Sequence, residues 1–340
     1  MKPDAVRWGI LSTAAIALDK VIPALQRAQS AQVLAIASRS EGRARAAAKE
    51  LGITRAYGAY EELLDDPDVE AIYNPLPNHL HVEWTARAAE AGKHVLCEKP
   101  IALSAAQARH LLDVRDRTGV LIGEAFMVRT HPQWLKVREL LRSGRTGALR
   151  LITCDFSYYK TDPDNIRNVP EYGGGGLMDI GCYEITLSRW LFQAEPTAVI
   201  SMMERDPALK IDRLTSAMLQ FPNGQATFSC ATQLVPYQRV QVFGTRSRIE
   251  VEVPFNAPPD RPCRIFVDDG RDLFSGGVEV FEFPIVDQYT VQADHFARAI
   301  RGTGQVPVPL EDSIANMEVI DALFRSAGSG RWEAVHSAVV

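Results

Sequence analysis

Three observations predict an α/β chain of two dissimilar domains. Up to about residue 125, short apolar runs alternate with helical stretches. Beyond a helix near 132–143, segments of strand composition follow one another with little helix between them. The 340 residues are 46% apolar and 23% charged, an ordinary soluble balance with enough apolar material for more than one core. The expected organisation is therefore residues 1–125 as a parallel-sheet domain and residues 126–340 as an α+β domain on a large, open, mostly antiparallel sheet.

The apolar runs of the first half lie at 6–11, 33–37, 71–74, 94–97 and 120–123, with alanine-rich or amphipathic stretches at 16–28, 41–51, 80–91 and 105–118 between them. Strand–helix alternation of this kind implies βαβ units and a sheet covered on both faces. In the second half, strand composition recurs at 149–159, 198–204, 214–221, 226–232, 239–243 and 248–253, with a hairpin signal at Pro222-Asn223-Gly224. One helix is expected over 179–192 and two more over 288–301 and 310–327.

A net charge of −5 argues against a nucleic-acid or acidic-membrane partner. Five cysteines, at 97, 154, 182, 230 and 263, form no CxxC pair, and an odd count suits reduced thiols. The amino terminus lacks a signal pattern and no apolar run is long enough to span a bilayer, so a cytoplasmic location is expected. His79 and His81 are two residues apart and no Cys/His cluster exists, so no metal is expected.

The first strand runs into Gly9-Ile10-Leu11-Ser12-Thr13-Ala14-Ala15-Ile16-Ala17. A Rossmann turn needs small residues so that backbone amides and a helix N-terminus can approach a pyrophosphate. Its three small positions here would be Ser12, Ala14 and Ala17, with both leading glycines replaced; a plain turn capped by Ser12 or Thr13 is the alternative. The second strand ends in Ala37-Ser38-Arg39, where an acidic residue would mark NAD. A hydroxyl and a guanidinium suit a 2′-phosphate instead, so NADP is preferred and NAD is the alternative. Asn74-Pro75-Leu76-Pro77-Asn78-His79 follows the next strand as a rigid turn at the ligand-bearing sheet edge, although Asn78 could merely cap a helix.

Cys97-Glu98-Lys99-Pro100 places a lysine at a strand end near that edge. It is either a solvated gatekeeper or an ammonium whose pKa a nicotinamide would lower for proton handling. Four glycines, 173–176, then precede Leu177-Met178-Asp179-Ile180-Gly181-Cys182-Tyr183. Asp179 and Tyr183, spaced i,i+4 on a helix starting near Asp179, would project from one face as an acid/base and hydroxyl-binding pair. The alternative is a capping aspartate beside a packing tyrosine.

The Gly9…Ala17 turn, Glu98-Lys99-Pro100 and the Gly174–Tyr183 segment together resemble the glucose–fructose oxidoreductase/inositol dehydrogenase (Gfo/Idh/MocA) family over nearly the whole chain. Trp8–Ala14 and Glu124-Ala125-Phe126-Met127 are similar to the branch of NADP-dependent D-xylose 1-dehydrogenases and dimeric dihydrodiol dehydrogenases. The resemblance implies an NADP-dependent oxidoreductase acting on a sugar or polyol, an aldose 1-dehydrogenase first. Ketosugar or dicarbonyl reduction, trans-dihydrodiol oxidation, or a catalytically silent dinucleotide-binding regulator are the alternatives. It implies that Lys99 positions substrate and favours the Tyr183 phenolate, Asp179 holds a substrate hydroxyl, and Tyr183 accepts the proton. The expected cofactor contacts are Ser12, Thr13, Ala14, Ile16, Ser38, Arg39 and Arg43. Further contacts are expected from Pro75, Leu76, Asn78, His81, Glu98 and Lys99. Phe126, Arg129 and His131, with Asn165 and Arg167, could line the substrate pocket or be structural. The open sheet suggests a homodimer or homotetramer.

Overall fold

Six parallel strands make the first sheet of the computed structural model, which describes residues 4–335. They are β1 (Val6–Leu11), β2 (Ala31–Ala37), β3 (Arg55–Tyr57), β4 (Ala71–Asn74), β5 (His94–Cys97) and β6 (Ile122–Glu124), in the order β3-β2-β1-β4-β5-β6. The crossovers carry α1 (Ile22–Arg27), α2 (Glu41–Leu51), α3 (Tyr60–Leu64), α4 (His81–Glu90) and α5 (Ala105–Thr118). β4 is buried along its whole length, as a parallel strand covered on both faces must be. This order is doubly wound and reverses between β1 and β4, so ligand-binding loops belong at the carboxyl ends of those strands. β3 and α3 went unread in the sequence because β3 is a three-residue, half-buried edge strand without an apolar run.

The second sheet has nine strands among the described residues. α6 (Pro132–Arg142) leads into β7 (Leu149–Tyr159), and α7 (Cys182–Phe192) separates β7 from β8 (Ala198–Arg205). Then follow β9 (Asp212–Phe221), β10 (Gly224–Ala231), β11 (Gln233–Gly244), β12 (Arg248–Val251), β13 (Cys263–Asp268), β14 (Val278–Phe283) and β15 (Glu333–Ala334). The order is β14-β13-β12-β11-β7-β10-β9-β8-β15, antiparallel except between β7 and β10. Val-Glu-Val-Phe-Glu-Phe in β14 is rich in β-branched and aromatic residues interrupted by glutamates, a strand signal in the sequence itself. On β7, Cys154 and Phe156 point into the core and Tyr158 shares their face, whereas Asp155 and Tyr159 face outward.

The last third of the chain holds α8 (Gln288–Ile300) and α9 (Leu310–Ser329). By their contacts, residues up to Thr130 and Asp287–Ile314 form one compact unit, and His131–Val286 with the residues from Ala315 onward form the other. The two units are therefore not consecutive along the chain, as 1–125 and 126–340 would be: 287–314 belongs with the first. The reason is packing. Fully buried Phe296 of α8 meets Trp8 of β1 at 5.8 Å between ring centroids. Asp294 Oδ1 accepts from the Ser30 amide at 2.8 Å, and Arg301 pairs with Glu70 at 3.0 Å. Burial of one such aromatic ring stabilises by about 2–3 kcal/mol.

Candidate active site

In the first unit, the turn after β1 bends at Ser12, whose φ of 70° lies in the left-handed region usually given to glycine. Its own side chain offsets part of the strain: Ser12 Oγ accepts from the Ala14 amide at 3.2 Å. A single π turn, Ala17–Val21, then feeds α1. The first amides of that helical run have no intrahelical acceptor and stand where a pyrophosphate would lie. Small side chains at Thr13 and Ala14 leave that approach open, so the turn fits a dinucleotide.

At the end of β2, Ser38 is buried and its Oγ accepts from the Ser40 amide at 3.3 Å. Arg39 is exposed and lies beside Tyr60, whose phenol is pushed up by burial, an effect the guanidinium partly offsets. Arg43 is exposed on α2. Glu41 is paired with Arg45 rather than held at the strand end. The donors here suit a phosphate better than a ribose diol.

At the carboxyl ends of β4 and β5, buried Asn74 donates to His81 O at 3.2 Å and to Thr85 Oγ1 at 3.1 Å. Asn78 opens a short 3-10 turn instead of capping α4 with its side chain. His81, expected as a cofactor contact, turns both ring nitrogens to main-chain carbonyls. It is buried, with Nδ1 2.7 Å from Pro100 O and Nε2 2.6 Å from Leu76 O. Both ring nitrogens are therefore taken by main-chain carbonyls, and the ring ties the Pro75-Leu76 turn to the Lys99-Pro100 turn. Burial pushes the imidazole down to about 4, while two acceptors favour the doubly protonated ring. Glu98 Oε1 accepts from Tyr73 at 2.5 Å, and the Lys99–Pro100 peptide is cis.

Phe126 is buried behind β6. Arg129, expected as a substrate contact, forms an ion pair with Asp312 at 2.6 Å, its side chain only 8% exposed. That places its charge in the packing of the first unit.

The second unit supplies the other cluster. Gly175 has φ of 114°, and a Cβ there would stand 1.9 Å from Asp212 Oδ1. One at Gly174 would stand 2.5 Å from Arg167 O. The glycines are therefore needed for close backbone approach. The helical run begins earlier than expected: a π turn spans Leu177–Gly181 before α7, and Asp179 lies inside it. The cap comes from elsewhere. Buried Asp212 accepts from the Leu177 amide at 2.7 Å and from Thr215 Oγ1 at 2.9 Å.

Asp179 Oδ2 accepts from Tyr158 Oη at 2.6 Å and from Arg167 Nε at 3.0 Å. Tyr158 is held well above the ordinary phenol range by burial and by the neighbouring Asp179 carboxylate, so it keeps its proton and cannot serve as a base. Tyr183 is buried against Phe156 at 6.2 Å and Phe255 at 5.7 Å between ring centroids. Phe156 and Phe255 stack at 4.7 Å. Because Phe156 and Tyr158 share a face of β7, Tyr183 and Asp179 look onto the same strip of sheet. Asn165 Oδ1 accepts from the Arg167 amide at 3.1 Å, capping the short turn that delivers Arg167. His131 caps α6 through Nδ1, accepting from the Gln133 amide at 3.3 Å. From α6, Gln133 and Trp134 donate to Val253 O and Pro254 O at 2.9 and 2.8 Å, anchoring the segment that carries Phe255.

Tyr158, Asp212 and Phe255 belong to the cluster without standing out in the sequence. Tyr158 had a signal, a polar-tipped aromatic on the core face of an alternating strand, which needs a partner. Asp212 and Phe255 had none, because their partners are remote in sequence.

Comparison with known proteins agrees with this architecture. Residues 6–126 match the oxidoreductase family with an NAD-binding Rossmann fold, and residues 134–250 match the GFO/IDH/MocA C-terminal domain. The chain is 50% identical to an uncharacterized oxidoreductase of Rhizobium meliloti over 98% of its own length and 100% of the relative's. It is 40% identical to the D-xylose 1-dehydrogenase (NADP(+)) 2 of Haloferax volcanii, covering 95% of this chain and 98% of that one. Among solved structures it resembles a 3-ketoreductase from Actinomadura kijaniata in complex with NADP and TDP-benzene. The TM-score is 0.87 at 29% identity, covering 95% of this chain and 98% of the other. The paired domains and the breadth of these matches make the chain a member of the GFO/IDH/MocA family of oxidoreductases.

Proposed function

We propose that the chain is an NADP-dependent dehydrogenase oxidising a sugar or polyol carbinol, an aldose of the D-xylose type at its first carbon being the leading substrate. The observation that carries this reading is the Asp179 cluster. A carboxylate held by Tyr158 and Arg167 lies four residues from Tyr183, whose ring packs against the stacked pair Phe156 and Phe255. Such a pair can accept a hydrogen bond from one substrate hydroxyl and the proton of another. Asp179 holds the hydroxyl, Tyr183 takes the proton and Lys99 positions the substrate. The Ser12 turn receives the pyrophosphate, and Ser38 with Arg39 meets the 2′-phosphate. NADP supplies the hydride acceptor. The named activities of the D-xylose dehydrogenase and 3-ketoreductase relatives support a sugar substrate and NADP.

A homodimer or homotetramer in the cytoplasm belongs to the same reading. Its support is the outward face of the second sheet, where Tyr159, Val235 and Tyr237 are 67%, 77% and 49% exposed. No helix among the described residues is long and apolar enough to cross a membrane.

The test is reduction of NADP⁺ and NAD⁺ with D-xylose, D-glucose, myo-inositol and a trans-dihydrodiol. Tyr183→Phe and Lys99→Met are each expected to lower kcat/KM by about 10²–10⁴-fold. Arg39→Ala is expected to raise the KM for NADP⁺ by about 10- to 100-fold while leaving NAD⁺ unaffected. Near-normal turnover in both catalytic variants would sink the assignment, equal wild-type rates with NAD⁺ would remove the phosphate argument, and no turnover with any polyol would point to ketosugar reduction.

A further inference from the structure

Tyr158 has no place in the proton transfer, yet it is built into the cluster with more care than a packing residue requires. It ends the inward-facing series Cys154, Phe156, Tyr158 on β7, and its hydroxyl reaches Asp179 Oδ2 at 2.6 Å. That is the short range of an O–H donor on an ionised carboxylate. Arg167 reaches the same oxygen at 3.0 Å from a different element. The loop bearing Arg167 is itself held in three ways: Asn165 caps it, the Gly174 amide donates to Val169 O at 3.0 Å, and the Gly175 amide donates to Arg167 O at 2.9 Å. A Cβ at Gly174 would stand 2.5 Å from Arg167 O and 2.8 Å from Val169 O and would break this lacing.

We infer that Tyr158 is a positioning residue for Asp179: with Arg167 it fixes the carboxylate in one orientation and keeps it ionised as an acceptor for the substrate hydroxyl. The inference rests on the reading that Asp179 holds substrate. Two donors converge on one carboxylate oxygen, one neutral and one charged. Both favour the charged form of Asp179, and both resist rotation of its side chain. Burial and the adjacent carboxylate keep the Tyr158 proton in place, so the phenol donates at every working pH. The phenol therefore works as a fixed donor, and the glycine run that admits the Arg167 loop serves the same end.

The experiment compares wild type with Tyr158→Phe, Arg167→Gln and Asp179→Asn, using NADP⁺ with D-xylose or whichever probe sugar turns over best. Tyr158→Phe removes one hydroxyl and keeps the ring on β7. Its kcat/KM is expected to fall by about 10- to 100-fold, chiefly through KM, with NADP⁺ affinity measured by fluorescence titration unchanged. The acid limb of kcat/KM is expected to move up by about one pH unit, since a carboxylate that loses a donor protonates more readily. Arg167→Gln is expected to move the limb in the same direction, which keeps the inference testable if Tyr158→Phe folds poorly. A purely structural tyrosine would change melting temperature and leave the limb in place. If Asp179→Asn is crippled while Tyr158→Phe and Arg167→Gln keep the wild-type limb and kcat/KM within twofold, the positioning role is overturned and the substrate-holding role of Asp179 stands. Wild-type kinetics in Asp179→Asn would instead bring down the underlying reading.

Discussion

Replacing Gly175 by alanine tests whether the glycine run exists for close packing, because the structure supplies both the perturbation and its control. The φ of 114° at Gly175 strains any other residue by about 1–3 kcal/mol. The added Cβ would stand 1.9 Å from Asp212 Oδ1 and 3.0 Å from its Cγ, so Asp212 must leave its place. Displaced, it gives up the Leu177 amide, and losing such a cap costs about 0.5–2 kcal/mol. Together these make roughly 2–5 kcal/mol, which for a unit of this size lowers Tm by about 5–15 °C. Gly176 is the control. Its φ is −66° and its nearest contacts to an added Cβ are at 3.4 Å, so Gly176→Ala is expected to leave Tm within about 2 °C of wild type. Differential scanning calorimetry on both variants, with kcat/KM on the same preparations, reads the difference. Equal melting temperatures for the two variants, or a more stable Gly175→Ala, would refute the reasoning.

Two further outcomes follow from buried charges. Arg129→Ala removes one partner of Asp312 from a largely buried pair, so a loss of about 3–5 kcal/mol is expected in denaturant unfolding, partly recovered in Arg129→Leu/Asp312→Leu. A variant with unchanged stability and a raised sugar KM would return Arg129 to the substrate. Burial pushes Asp212 up to about 6, above the ~3.9 of a free aspartate, so the folded state keeps a proton that the unfolded chain loses as pH rises from 4 to 6. Stability falls through that window by at most about 3 kcal/mol. In Asp212→Asn the amide oxygen would still accept from Leu177 without titrating, so the stability of this variant relative to wild type is expected to grow from pH 4 to 6 and stay level above. A difference independent of pH would show that the ionised carboxylate is fully accommodated by its two donors.

The legible parts of this protein were those in which a local rule acts over a few residues. Alternating runs and helices predicted the parallel sheet, and the alternation of β7 over 152–156 and the strand composition of β14 are visible in the sequence. Ser38 and Arg39 sit where a strand end puts them. Lys99, Asp179 and Tyr183 stood out by type and spacing, but their surroundings did not. His81, Arg129 and Asn165 were nominated as contacts because they are polar and near the site in sequence. The structure gives their side chains two carbonyls, a carboxylate and a main-chain amide of the protein itself.

The sequence by itself thus determined the fold class, the strand-end positions and the chemical types available for a hydride-transfer site. Tertiary structure alone decided that 287–314 packs with the first unit through Phe296, that Asp212 caps the helix carrying Asp179, and that Tyr158 holds the Asp179 carboxylate. The reason is one of range. Hydrogen-bonding preference and periodicity are set by neighbours along the chain, whereas a buried polar group takes whatever partner the packed core brings to it. Tyr158 and Asp179 are 21 residues apart, and Leu177 and Asp212 are 35 apart, distances over which no local pattern can pair them.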